Sequence, residues 1–278
     1  MGTFNTVASA ILGTLLAPFG AQRNWSAWVD VLVWSVLGGI LALLVIKRFS
    51  NQKAIARVKN EIKVHLFEVR LFQDDMLGIL AATGKVLVKN LLYIGHNLVP
   101  MVVMLIPMVA ILAQLVATYA YAPLPPGSVQ IVKARLDTDD AGRPRLPATA
   151  VRLETPPGVQ LESQVRTPQG EIAWRLRLAE PGRHELRLHL GDEVVTKTLV
   201  VGGPAGRMPV MRTKGWEGVL YPTEPGLPSS SQLASVQVAY PERDLGWMPG
   251  GEAGILGVFF VLSIVAGLAL KGVFKVTI

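Results

Sequence analysis

The chain has no cysteine in its 278 residues. Disulfides, thiol catalysis and cysteine-based metal sites are therefore excluded, while the compartment stays open. Histidine is scarce, with four residues. Two of them, His184 and His189, are five apart in a strand-like segment. They fall on opposite faces, which argues against a shared metal. No nucleophile motif, paired-acid motif or His-rich metal motif is present, so an enzyme is the least favoured class and no cofactor is expected. A phosphate loop is missing as well. Gly78 to Gly84-Lys85 has five residues between the glycines instead of four, and Val86 stands where Ser or Thr must ligand Mg²⁺. The N-terminus lacks the basic n-region of a secretory signal, since the first basic residue is Arg23. Phe4–Phe19 is expected to form an amphipathic or re-entrant helix at a membrane interface. An atypical uncleaved signal is the alternative.

Arg and Lys are also absent from three apolar stretches, and these dominate what is present. Trp28–Ile46 carries one acid near its start, Leu91–Tyr121 carries His96, Asn97 and Gln114, and Gly254–Leu270 carries no charge. Each approaches or exceeds the roughly 18 residues of a membrane-spanning helix. The net charge of +7 is unevenly placed. Lys47–Lys89 holds nine Lys/Arg against four acids, whereas residues 122–248 hold fifteen against fourteen. Short basic loops stay inside. Lys47–Asn90 is thus expected in the cytoplasm with Lys271 and Lys275, and the N-terminus and residues 122–248 outside. Trp25, Trp28 and Trp34 crowd the outer end of the first span as an aromatic belt. Gly38 and Gly39 give it a flat patch for close helix contact.

Between the first two spans, Ile55, Val58, Ile62, His65, Val69, Phe72, Met76 and Ile79 alternate spacings of three and four. That is a heptad seam. His65 lies in it as a register-setting polar residue, with Lys53, Arg57, Lys59 and Lys63 off it. The segment predicts a basic helical hairpin, turning at Gln73-Asp74-Asp75 with Gly78, or at Ala82-Thr83-Gly84. Its charge suits anionic lipid headgroups or ribosomal RNA equally. In the second span Pro100 and Pro107 are helix-break candidates, each freeing a carbonyl one turn earlier. His96, Asn97, Gln114 and Thr118 favour a bundle interior or wet cavity. An interfacial position serves His96 and Asn97 equally well.

After Pro123-Leu-Pro-Pro-Gly127 the pattern changes to period two. Strands are predicted at 129–136, 149–154, 159–165, 171–178, 184–190, 194–201 and 233–240, with Gly/Pro/Asp turns between most of them. Together they predict a small β-sandwich. Residues 202–232 read as loop, anchored by Gly215-Trp216. The expected order is an interfacial helix (1–24), transmembrane helix (25–47), cytoplasmic hairpin (48–90), transmembrane helix (91–121) and extracytoplasmic Ig-like β-sandwich (122–203). A loop-rich extension (204–250), third transmembrane helix (251–271) and cytoplasmic tail (272–278) complete an α-helical membrane protein with an all-β domain.

This order of parts resembles the YidC/Oxa insertase superfamily, in particular its archaeal YidC-like branch and the matching subunit of the endoplasmic reticulum membrane complex. The resemblance rests on a short apolar N-terminal helix, a first span running into Lys47-Arg48-Phe49-Ser50-Asn51-Gln52-Lys53, a basic hairpin, and the Leu98–Pro107 segment. It covers roughly residues 4–120 and 252–275. It implies a hydrophilic groove between the spans and a hairpin that receives the client. By resemblance Ser35, His96, Asn97 and Gln114 are groove-lining candidates. Such a groove spares a client the few kcal/mol or more of a bare charge at mid-bilayer. The β-domain departs from the family core and implies a docking role. A non-catalytic accessory subunit of a larger complex is the alternative. Partners implied are the lipid bilayer, other membrane proteins and the ribosome, but not DNA.

Overall fold

The computed structural model describes residues 24–50, 52–71, 76–139, 141, 143–147, 150–274 and 276. The interfacial helix expected at Phe4–Phe19 lies outside them. Four α-helices are described: α1 (Asn24–Phe49), α2 (Gln52–Leu71), α3 (Met76–Tyr119) and α4 (Gly251–Phe274). Three segments are long and apolar enough to cross a membrane: Ala27–Phe49, Thr83–Tyr119 and Gly251–Phe274. Their length and apolar composition suit a membrane protein. Lys47 and Arg48 occupy the last turn of α1, and Lys271 that of α4. There cations meet the unsatisfied carbonyls of a helix end.

At 44 residues, α3 is about 66 Å long, about twice the hydrocarbon thickness of a bilayer. It joins the second arm of the expected hairpin and the second apolar segment in one rod. The helix runs through Ala82, Thr83 and Gly84, so no turn forms there. A single glycine costs a helix only about 1 kcal/mol, which flanking helix formers outweigh. The alternative turn at Gln73-Asp74-Asp75 lies outside the described residues. The helix also continues through Pro100 and Pro107. Each proline removes one backbone donor without ending the helix.

The chain divides into two compact units, described residues 24–31 with 109–258, and 32–108 with 259–276. In the second unit α1 meets α4 at glycine. A Cβ on Gly39 would stand 2.6 Å from the Ser263 carbonyl oxygen, and one on Gly38 would stand 2.8 Å from the Phe259 ring. The expected flat patch is real, and at Gly39 the neighbour is backbone that cannot turn aside.

The first unit is built on eight antiparallel strands: β1 (Val129–Leu136), β2 (Val151–Glu154), β3 (Val159–Arg166), β4 (Glu171–Leu178), β5 (Gly182–Leu190), β6 (Glu193–Val201), β7 (Met211–Thr213) and β8 (Leu233–Val238). One sheet runs β3-β4-β1-β8-β7 and the other β2-β5-β6. Alternation decides which side chains share the core. Ile172, Trp174, Leu176 and Leu178 of β4 are buried with Leu186, Leu188 and Leu190 of β5 and Val132, Ala134 and Leu136 of β1. Gly170 turns the β3–β4 hairpin at φ 80°. A side chain there would be strained and would meet Pro144 at 2.8 Å.

β6 is an edge strand, and its outer backbone is covered. Leu124 N donates to Val200 O at 3.0 Å, Val200 N donates to the Tyr240 hydroxyl at 3.0 Å, and Thr198 N donates to Glu224 Oε1 at 2.8 Å. Arg212 Nη1 donates to Thr196 O. Such covering removes a template for strand pairing between chains. It also holds residues 204–232 against the sheet. This extension is anchored by Met208, Val210 and Leu227, which join the core. Trp216, the expected anchor, is 67% exposed. It sits on a 3-10 turn, Gly215–Leu220, and is not part of the core cluster.

Candidate functional site

Three groups of residues carry chemistry, and each lies within one unit. The first is the hairpin arm. Val58 is buried on the expected seam and Ile62 and His65 are half-buried. Lys89 of α3 pairs with Glu61 of α2 at 2.6 Å. That bond, between residues 28 apart, links α2 to the N-terminal half of α3. The Lys89 ammonium holds the Glu61 carboxyl below its usual range. Of the predicted basic residues, Arg57 and Lys63 are exposed, while the side chains of Lys53 and Lys59 lie outside the described residues. Large apolar side chains stand beside these charges. Val64, Leu66, Phe67, Leu80, Leu87, Val88, Leu91 and Ile94 are all exposed, Phe67 to 68%.

The second group lies where the N-terminal turns of α1 meet the C-terminal turns of α3. Asp30 is fully buried, and the Tyr119 hydroxyl donates to its Oδ2. Asp30 Oδ1 meets no donor among the described residues. The guanidinium of Arg243, itself buried, lies 6.0 Å from the Tyr119 ring centroid. Burial pushes the Arg243 guanidinium pKa down. Five residues before Tyr119, Gln114 is buried and its Oε1 accepts from Arg207 Nη2 at 2.7 Å. Arg207 also donates to Pro222 O at 3.3 Å. Met208 N donates to Ala117 O at 3.0 Å. Residues 207–208 and 222 are thus laid against the last turns of α3. Trp28 and Trp247 meet edge-on at 5.8 Å between centroids, and Trp247 is 77% exposed.

The third group is a buried ion pair. Lys197 occupies an inward position of β6, between Val195 and Leu199, with no exposed surface. Its Nζ donates to Glu224 Oε2 and, at 2.6 Å, to Pro209 O. Burial pulls the Lys197 pKa down, and Glu224 opposes that shift. His184 and His189 have separate partners. His184 Nε2 bonds Glu180 O at 2.8 Å, and His189 Nε2 bonds Glu154 Oε2 at 2.7 Å. No group of three or more potential metal ligands gathers among the described residues. An open concavity of about 370 Å³ on the outer face of the larger sheet is lined by Lys133, Arg135, Glu171 and Met211, among others.

Of the four groove-lining candidates, Gln114 is sealed under Arg207. Ser35 is buried in the other unit. His96 and Asn97 are helical, with side chains outside the described residues. Asp30, Arg207 and Arg243 were not singled out from sequence. A lone acid in an apolar run is a signal for Asp30. The arginines sit in Gly/Pro-rich surroundings with no local pattern, and only the tertiary fold brings them to α3. No family model matches the chain, nor does any curated protein or solved structure.

Proposed function

We propose that the protein is an integral membrane protein of the insertase or chaperone type, akin to the YidC/Oxa superfamily, which helps polar segments of client proteins cross the bilayer without covalent chemistry. On this proposal α1, the C-terminal part of α3, and α4 span the cell membrane. The N-terminus lies outside and the C-terminus inside. The two-sheet domain is an Ig-like sandwich on the extracytoplasmic side. The observation that carries the proposal is the α2–α3 arm. It combines exposed Arg57 and Lys63 with exposed Val64, Leu66, Phe67 and Leu80, and it continues as one helix into the apolar segment Thr83–Tyr119. Monomeric soluble proteins seldom expose contiguous apolar surface on this scale, and such surface marks a protein or membrane contact. A nascent apolar segment is a ligand of matching chemistry, and the cations suit the anionic ribosome or inner leaflet beside it.

Depletion of the protein followed by quantitative membrane proteomics tests this. Loss of a set of membrane proteins with short polar outer segments is expected. A second reading is favoured by the hydrogen bonds that tie the β-domain to the end of α3. A domain so held suits an accessory subunit docking through its sandwich. An unchanged membrane proteome together with a stoichiometric co-purifying complex selects that reading and rejects the first.

A further inference from the structure

Several cations of the first unit are paired with carboxylates. Lys197 has Glu224, Arg175 and Arg177 share Glu162, and Lys214 has Asp137. Arg207 is half-buried, yet no carboxylate among the described residues lies within ion-pair distance of it. Its partners are neutral, the Gln114 side-chain amide and the Pro222 carbonyl. The Nε atom is buried and meets no acceptor among the described residues. Taking a guanidinium out of water without an anion is unfavourable by several kcal/mol in general. Among the described residues the Nε atom therefore lacks an acceptor.

The position of Arg207 says what that acceptor is. Gln114 lies within the apolar segment Thr83–Tyr119, five residues from its end. That is about 7.5 Å along the helix axis. Trp28 and Trp247, paired in the same unit, are rings of the kind that settle between headgroups and hydrocarbon. Near the end of a span, the anion on offer is the phosphate of an outer-leaflet lipid. A guanidinium fork matches phosphate oxygens in geometry and charge.

We propose that Arg207, oriented by Gln114 and the Pro222 carbonyl, holds the phosphate of one outer-leaflet phospholipid against the end of α3. The site rests on the membrane placement proposed above. Through it the lipid joins the β-domain to the helix, so headgroup chemistry bears on how firmly the domain is seated.

The test uses the full chain, delipidated in mild detergent, and native mass spectrometry. The probes are dioleoylphosphatidylglycerol, dioleoylglycerol with the same tails but no phosphate, and inorganic phosphate. Wild type is expected to prefer the phosphatidylglycerol over the dioleoylglycerol by about tenfold or more. Arg207→Gln loses that preference and Arg207→Lys keeps part of it. Gln114→Ala, which leaves the charge in place, weakens it. Inorganic phosphate at equal concentration does not displace the lipid. Equal binding of the two lipids by wild type, or an undiminished preference in Arg207→Gln, overturns the site. So does displacement by inorganic phosphate, which identifies a soluble anion, or a protein adduct in place of lipid, which identifies an acidic partner. Alkaline carbonate extraction of wild type from vesicles separates the two levels. Release of the chain rejects the membrane placement itself, whereas retention with no Arg207 effect rejects the phosphate site alone.

Discussion

Replacing Lys197 by methionine should loosen the β-domain far more than replacing both members of its ion pair. Lys197 is fully buried and the Glu224 side chain is 9% exposed. Methionine keeps the length of the lysine stem and fills the inward position beside Val195 and Leu199. It leaves the Glu224 carboxylate with Thr198 N as its one donor in the described structure, at 2.8 Å. Removing one partner of a buried pair costs about 3–5 kcal/mol. Changing Glu224 to glutamine as well removes the stranded charge and keeps an acceptor for Thr198 N. The residual loss is then mainly the Pro209 carbonyl's donor, about 1 kcal/mol. Denaturant unfolding in detergent measures Lys197→Met, Glu224→Gln and the double variant, and hydrogen exchange at Thr198 and Val200 locates the effect on β6. The pH dependence gives a second reading. Burial lowers the folded pKa of Lys197 below its ordinary 10.5. The folded state therefore releases this proton before the unfolded state does. Stability should rise with pH between the lowered value and 10.5, and the rise should vanish in Lys197→Met. A single-variant cost below about 1 kcal/mol, or a double variant as costly as the sum of the singles, would refute the reasoning.

Three further outcomes follow from the packing. Gly39→Leu should destabilise the second unit by about 1–3 kcal/mol through overpacking against the Ser263 carbonyl. Gly267→Ala, where an added Cβ meets nothing within 4 Å, should cost nothing and gain up to about 1 kcal/mol of helix propensity, and thermal midpoints in detergent compare the two. Tyr119→Phe strips the buried Asp30 carboxylate of its hydroxyl donor and should cost about 1–3 kcal/mol. Asp30→Asn, which removes the charge instead, should cost less in the same melts. Because the chain has no cysteine, single cysteines at Ser128 and Lys63 report topology directly. An impermeant maleimide applied to intact cells should label the first and not the second. The reverse pattern would invert the proposed orientation.

Much of the architecture was legible because it is written in local periodicity. The β4 sequence alternates so regularly that Ile172, Trp174, Leu176 and Leu178 fall on one face by inspection, and the structure buries all four. The apolar segments and the Gly38–Gly39 patch were legible for the same reason. What was hidden depends on distant partners. β7 is three residues long and exists through its pairing with β8. Lys197 interrupts an inward face, and its counter-charge stands 27 residues away at Glu224. Arg207 reaches Gln114 across 93 residues. Trp216 misled because a large aromatic among Gly and Pro resembles an anchor, whereas the smaller Met208, Val210 and Leu227 do the anchoring.

The central claim is that the α2–α3 arm receives the apolar segments of nascent membrane proteins. Photo-crosslinking tests it most directly, with a benzophenone side chain placed at Phe67, at Leu91 or at Asn97, and ribosomes stalled on a membrane-protein client. The account predicts adducts to the nascent chain at Phe67 and Leu91 while its first apolar segment emerges, and at Asn97 as that segment enters the bilayer. A stable partner subunit captured at all three positions, with no nascent chain at any of them, would contradict it.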